Sequence, residues 1–150
     1  MSVRKTGFVV LAVPVCLVLF ACKDEPREAP HVTYERYNQL VIDGRSFAED
    51  VVFHAKARRE EIGSDTKRRA KAAGKSIDEY QKLYLSFTQN LARCAKLTLQ
   101  KEEVNGDKAL VVFDVEDTCT DAEAEINLTV EMVYEDGWTI QSDTMSSKSK

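Results

Sequence analysis

The hydrophobic residues of this 150-residue chain change their spacing once, and that change divides the fold in two. Ile77, Tyr80, Tyr84, Phe87, Leu91 and Cys94 follow one another at intervals of three and four, which sets them on one stripe of a helix. From Leu97 onward the interval is two. Leu97 and Leu99 alternate with Thr98 and Gln100, and Ala109, Val111, Phe113 and Val115 alternate likewise. Ile126, Leu128, Val130, Met132 and Tyr134 continue the pattern against Glu125, Asn127, Thr129 and Glu131. Asn105-Gly106-Asp107 and Asp136-Gly137 supply turns, the second returning Trp138 and Ile140 to the face of Tyr134 and Met132. Helices first and strands second predict an α+β fold, with N-terminal helices packed on one side of a curved four-stranded antiparallel sheet.

The helical half carries its own punctuation. Thr33 is expected to cap a helix through Ile42 that shows Tyr34, Tyr37 and Val41 on one face and ends at Asp43-Gly44. Ser46-Phe47-Ala48-Glu49 has the spacing of a capping box, in which serine and glutamate satisfy each other's backbone donors. The helix it opens is predicted to reach Ile62 and stop at Gly63, with Phe47, Val51, His54, Ala55, Arg58 and Ile62 along one face. Ser76-Ile77-Asp78-Glu79 repeats the capping box ahead of the last helix.

The N-terminal segment reads as an export signal. Arg4 and Lys5 precede the apolar run Phe8–Phe20, which is too short to span a bilayer comfortably. The run ends in Leu19-Phe20-Ala21-Cys22, which resembles a bacterial lipobox and implies cleavage before an acylated Cys22. Lys23 rather than aspartate follows that cysteine, which by analogy with such lipoproteins implies the outer membrane, facing the periplasm. The expected organisation is a signal peptide over 1–21, a lipidated cysteine and flexible tether over 22–32, a domain over 33–145 and a disordered tail over 146–150. Removing Arg4 and Lys5 leaves the domain more acidic than the −4 of the whole chain, a balance that argues against nucleic acid as a partner.

Of four cysteines, Cys16 falls in the signal and Cys22 takes the lipid, leaving Cys94 and Cys119 for an oxidising compartment. A three-residue loop at Asn105-Gly106-Asp107 sets Val104 opposite Lys108, Leu99 opposite Phe113 and Leu97 opposite Val115. The same register brings Cys119 opposite Arg93, next to Cys94, within the reach of a disulfide.

The element order, together with the hairpin Tyr134-Glu135-Asp136-Gly137-Trp138-Thr139-Ile140 and the turn Asp43-Gly44-Arg45-Ser46-Phe47-Ala48-Glu49-Asp50, resembles the NTF2-like fold and DUF4878-type bacterial lipoproteins. The resemblance covers residues 33–143. It implies a sheet wrapped around a long helix as a cone with an apolar pocket, and it carries no catalytic motif.

Candidate chemistry is sparse. His31 lies at the tether edge and is expected to be exposed. His54 lies on the apolar side of its helix, where a general base paired with Asp114 is conceivable beside the plainer reading of a hydrogen-bonded core-edge histidine. There is no metal-binding spacing and no phosphate loop, so no cofactor is implied. The acidic stretch Asp114, Glu116, Asp117, Asp121, Glu123 and Glu125 reads as a solvated face, and so does the basic run Lys67, Arg68, Arg69, Lys71 and Lys75, which otherwise suits anionic headgroups or an acidic partner. Tyr34, Tyr37, Tyr80, Tyr84, Tyr134 and Trp138 are the rings that would line a groove between helix and sheet. The function expected is therefore that of a non-enzymatic, membrane-anchored binding module that contacts a protein partner, an inhibitor or immunity protein against an envelope-acting toxin being one specific job. A small apolar-ligand binder is the alternative, and a pocket enzyme with His54 as base the third.

Overall fold

The computed structural model describes residues 26–120 and 125–148. Four helices precede four strands: α1 Pro30–Asp43, α2 Phe47–Val52, α3 Lys56–Ala72, α4 Ile77–Cys94, β1 Ala95–Asn105, β2 Lys108–Asp117, β3 Glu125–Tyr134 and β4 Trp138–Lys148. The strands form one antiparallel sheet in the order β1-β2-β3-β4. Along β2 the residues Ala109, Val111, Phe113 and Val115 are buried, and with Leu128, Val130, Met132 and Ile140 they make the sheet's contribution to the core. Tyr34, Tyr37 and Val41 of α1 lie against this face, the Tyr34 ring 5.4 Å from that of Phe113. The α+β architecture expected from the two hydrophobic periods is present.

Several boundaries differ from the sequence reading, each for a physical reason. Thr33 is no cap. The first helix starts at Pro30, whose fixed φ and missing N–H suit a first turn, while the Thr33 hydroxyl donates to Glu28 at 2.9 Å. The expected flexible tether is docked over its last residues. Arg27 donates to Gly106 O and Asp107 Oδ1 and lies over the Tyr134 ring, and the Trp138 indole donates to Glu28 O at 2.8 Å. At the other end, the expected tail is strand as far as Lys148, with Ser146 opposite Asn127. Residues 1–25 lie outside the described part, and with them the expected signal peptide and the expected acylation site Cys22.

The single helix predicted from Ser46 to Ile62 is two. The capping box forms as expected, Ser46 accepting from Glu49 N and the Glu49 carboxylate from Ser46 N. The helix then breaks at Phe53-His54-Ala55, because that stretch gives its backbone to β4: Ile140 N donates to Phe53 O at 2.8 Å, and Ala55 N donates to Ile140 O at 2.9 Å. Arg59 satisfies carbonyls left at the break, reaching His54 O and Val52 O. Gly63 does not stop α3, which runs on through the basic stretch to Ala72. Lys67, Arg68, Arg69 and Lys71 are exposed there, with Arg68 and Arg69 paired to Asp65.

The first hairpin reaches its expected pairing by a different route. Asn105 faces Lys108, so the turn is the two-residue Gly106-Asp107, and a β-bulge between Leu99 and Lys101 absorbs the difference. Leu97 still meets Val115 and Leu99 still meets Phe113. Continued past Ala95 and Asp117, the register brings Cys94 and Cys119 to a Cα separation of 5.2 Å, joined by a disulfide. That bond closes a span of 25 residues. Replacing both cysteines by alanine is expected to lower the unfolding free energy by about 3 kcal/mol; a urea titration showing an unchanged midpoint would contradict this.

Candidate functional site

The densest set of buried polar side chains lies where α1, α2, α4 and the 44–46 turn converge. Gly44 ends α1 in a left-handed conformation, with φ +91° and its N–H donating to Val41 O. A Cβ there would stand 2.8 Å from the Gln89 amide of α4 and push that side chain aside, but it is the positive φ that makes the turn need glycine. Gln89 and Arg93 donate to Ile42 O, one of the last carbonyls of α1. The turn delivers Arg45 into the interior, where its guanidinium donates to Oδ1 of Asp50 and to the Thr88 hydroxyl. The Tyr37 hydroxyl donates to the same Oδ1 at 2.9 Å. Asp50 is 0% exposed, and its side chain ties three helices together.

One turn beyond Asp50 stands His54, 5% exposed. Its Nε2 is 3.9 Å from Asp50 Oδ2, beyond hydrogen-bond range, and neither ring nitrogen nor that oxygen has a partner. Burial holds the His54 pKa below the ordinary histidine value; the charges of Asp50 and Asp143 oppose the shift, and those of Arg58 and Arg45 reinforce it. Burial likewise raises the Tyr37 hydroxyl far above the usual range, and it pushes Tyr84 up to about 12. These groups are neutral near pH 7.

A cavity of about 290 Å³ opens beside His54. Phe47, Ile62, Tyr80 and Tyr84 wall it, with the Phe47 and Tyr84 rings edge to face at 6.4 Å. Arg58, Asp65, Arg69 and Asp143 also line it, and these four residues are at least partly exposed. Asp143 arrives through a second bulge. Between Met132–Ile140 and Glu131–Ser142 one extra residue enters β4, so Asp143, rather than Ser142, stands opposite Val130 on the helix-covered face.

The residues singled out from sequence scatter around this site. Tyr37, Tyr80, Tyr84 and His54 come together at the cavity. Tyr34 is buried beneath it against Phe113. Tyr134 and Trp138 pack on each other at the β3–β4 turn, 5.3 Å apart, and take no part in the cavity. Asp114 is not the partner of His54. It is exposed on β2, between the inward Phe113 and Val115 and therefore on the opposite face. Nor is His31 exposed: its Nδ1 and its backbone N–H both meet Glu102 Oε2 at 2.8 Å. The groups missed in the sequence were Asp50 and Arg45. Asp50-x-x-x-His54 at helical spacing was a legible signal for the first; nothing local marks Arg45 as buried. Among the described residues no group of three potential metal ligands is found, and no helix is long and apolar enough to cross a membrane. Compared with known proteins, the chain finds no match among family models, curated proteins or solved structures.

Two measurements check this description. Asp50→Ala strands the Arg45 charge and is expected to cost about 3–5 kcal/mol in chemical denaturation, whereas Arg45→Met/Asp50→Leu should cost less than either single change. For His54, the depressed folded pKa means that the native state binds fewer protons than the unfolded chain below pH 6.5. Stability therefore falls as pH drops through that value and levels off below the folded pKa. The melting temperature is expected to decline as the pH falls through about 6.5, and His54→Phe to flatten that decline.

Proposed function

We propose that this chain is a lipid-anchored binding module of the bacterial envelope, non-catalytic and built on an NTF2-like cone, that works by holding a protein partner. The observation that carries the reading is the outer flank of α4. Leu83, Phe87 and Leu91 follow one another at intervals of four and are 52%, 63% and 50% exposed. An uninterrupted row of large apolar side chains in water is costly to a monomer and characteristic of an interaction face. The partner that fits is a protein presenting an apolar helix or groove, with no demand for strong charge.

Other features support the same reading. The disulfide between Cys94 and Cys119 suits an oxidising compartment, and the Leu19-Phe20-Ala21-Cys22 spacing suits an acyl anchor. An anchor raises the local concentration of a module for any partner at the same membrane. Asp50, the carboxylate nearest His54, already holds Arg45 and Tyr37, so its first service is to the fold. Blocking an envelope-acting toxin and assisting envelope assembly are both jobs of this kind. A second reading, a pocket for a small ligand, rests on the unpartnered ring of His54.

The test is a photoreactive residue placed at position 87, and separately at exposed Lys108, in the acylated protein within intact envelopes. A discrete cross-linked species from position 87 and none from 108, lost when Leu83 and Leu91 are changed to glutamate, is the expected result. Equal labelling from both positions, or a mature protein whose residue 22 carries no lipid by mass spectrometry, defeats the proposal.

A further inference from the structure

The cavity beside His54 carries an inference independent of the α4 flank. We propose that it binds a small uncharged ligand with an aromatic body and a terminal hydroxyl, the hydroxyl seated against His54 and the body against the ring-lined wall.

Size sets the first limit. At about 290 Å³ the space stands at the lower end of small-molecule sites, suited to a substituted ring rather than to a lipid or a peptide. The His54 ring sets the second. Both of its nitrogens and the neighbouring Asp50 Oδ2 are buried without partners, and each such group forfeits free energy until something bonds to it. A neutral imidazole has one donor and one acceptor, and a hydroxyl is both, so a hydroxyl can pair with the ring nitrogen that faces it whether or not that nitrogen bears the proton.

Charge sets the third limit. An anion at His54 would meet the Asp50 carboxylate behind the ring, and a buried ammonium would lie in the field of Arg45. Around the cavity the cations Arg58 and Arg69 are balanced by Asp65 and Asp143, so no net field selects an ion of either sign. The body of the ligand then meets the rings of Phe47, Tyr80 and Tyr84, which pack well against another ring, and the aliphatic side chain of Ile62.

Four probes of one shape separate the possibilities: 4-ethylphenol, 4-ethylanisole, 4-ethylbenzoate and 4-ethylbenzylammonium, titrated into the full chain in detergent with its two histidines labelled by ¹⁵N. The phenol is expected to bind about tenfold more tightly than the ether and to move the ring-nitrogen resonances of His54 but not those of His31. In His54→Phe the phenol's advantage should shrink to about twofold or less, and in His54→Gln, which keeps a donor and an acceptor, part of it should return. Equal affinity for phenol and ether, tighter binding of either charged probe, or no binding at millimolar concentration overturns the proposal. The wild-type comparison decides this without any variant having to fold. Because the cross-linking at position 87 is read separately, either proposal can fail while the other stands.

Discussion

The helical layer is organised around one buried carboxylate. Asp50 accepts from Arg45, which the Gly44 turn carries inward, and from Tyr37 on α1, while Arg45 continues to Thr88 on α4. Taking a guanidinium and a carboxylate out of water is expensive, and the cost is met only when geometry and supplementary hydrogen bonds are good. Here Oδ1 receives two donors and the guanidinium lies near the Tyr37 and Tyr84 rings. The pair gives little net stability over an apolar substitute, but it specifies one arrangement of three helices, since any other leaves a charge stranded. The second oxygen of the same carboxylate is left over, and it faces the unpartnered His54. The polar setting of His54 beside the cavity is thus a by-product of how the helices are held.

The sheet carries two irregularities, one that fastens α1 and one that reaches the site. The bulge in β1 sets Glu102 opposite Val111 on the covered face, where it receives His31 and fastens the start of α1. The bulge in β4 sets Asp143 opposite Val130 and so into the cavity lining. Each adds one residue to one strand, and because side chains alternate with period two, each reverses which residues face inward beyond it. Backbone capture at Ile140 divides α2 from α3 and thereby angles Arg58, Ile62 and Asp65 towards the cavity. The β4 bulge and the capture at Ile140 thus place Asp143, Arg58, Ile62 and Asp65 in the lining.

How much of this was legible depends on how local its cause is. The capping boxes at Ser46 and Ser76, the α4 stripe and the alternation of β2 and β3 follow from neighbours within a few residues, and all are present. The Leu97–Val115 pairing was legible because a misregistered hairpin would expose a buried row. The turn length was not, because a bulge six residues away compensates for it. The break at Phe53 was hidden for a similar reason: its cause is the backbone of Ile140, distant in sequence. His54 was recognised as a candidate, but its neighbour was sought on β2 when the carboxylate lay four residues upstream on α2.

From the sequence alone came the division into helices and strands, the pairing of the strands and the meeting of Cys94 with Cys119, because hydrophobic period and turn chemistry are local and repeat. Tertiary structure alone decided which flank of α4 meets the core and which meets water. The stripe from Ile77 to Cys94 is continuous in sequence, yet α1 takes the place against the sheet and leaves Ile77, Phe87 and Leu91 of that stripe exposed, with Leu83 beside them. It also decided that Arg45 would be buried, since desolvating a guanidinium is tolerable only once Asp50 of α2, itself held by Tyr37 of α1, and Thr88 of α4 have been brought to meet it.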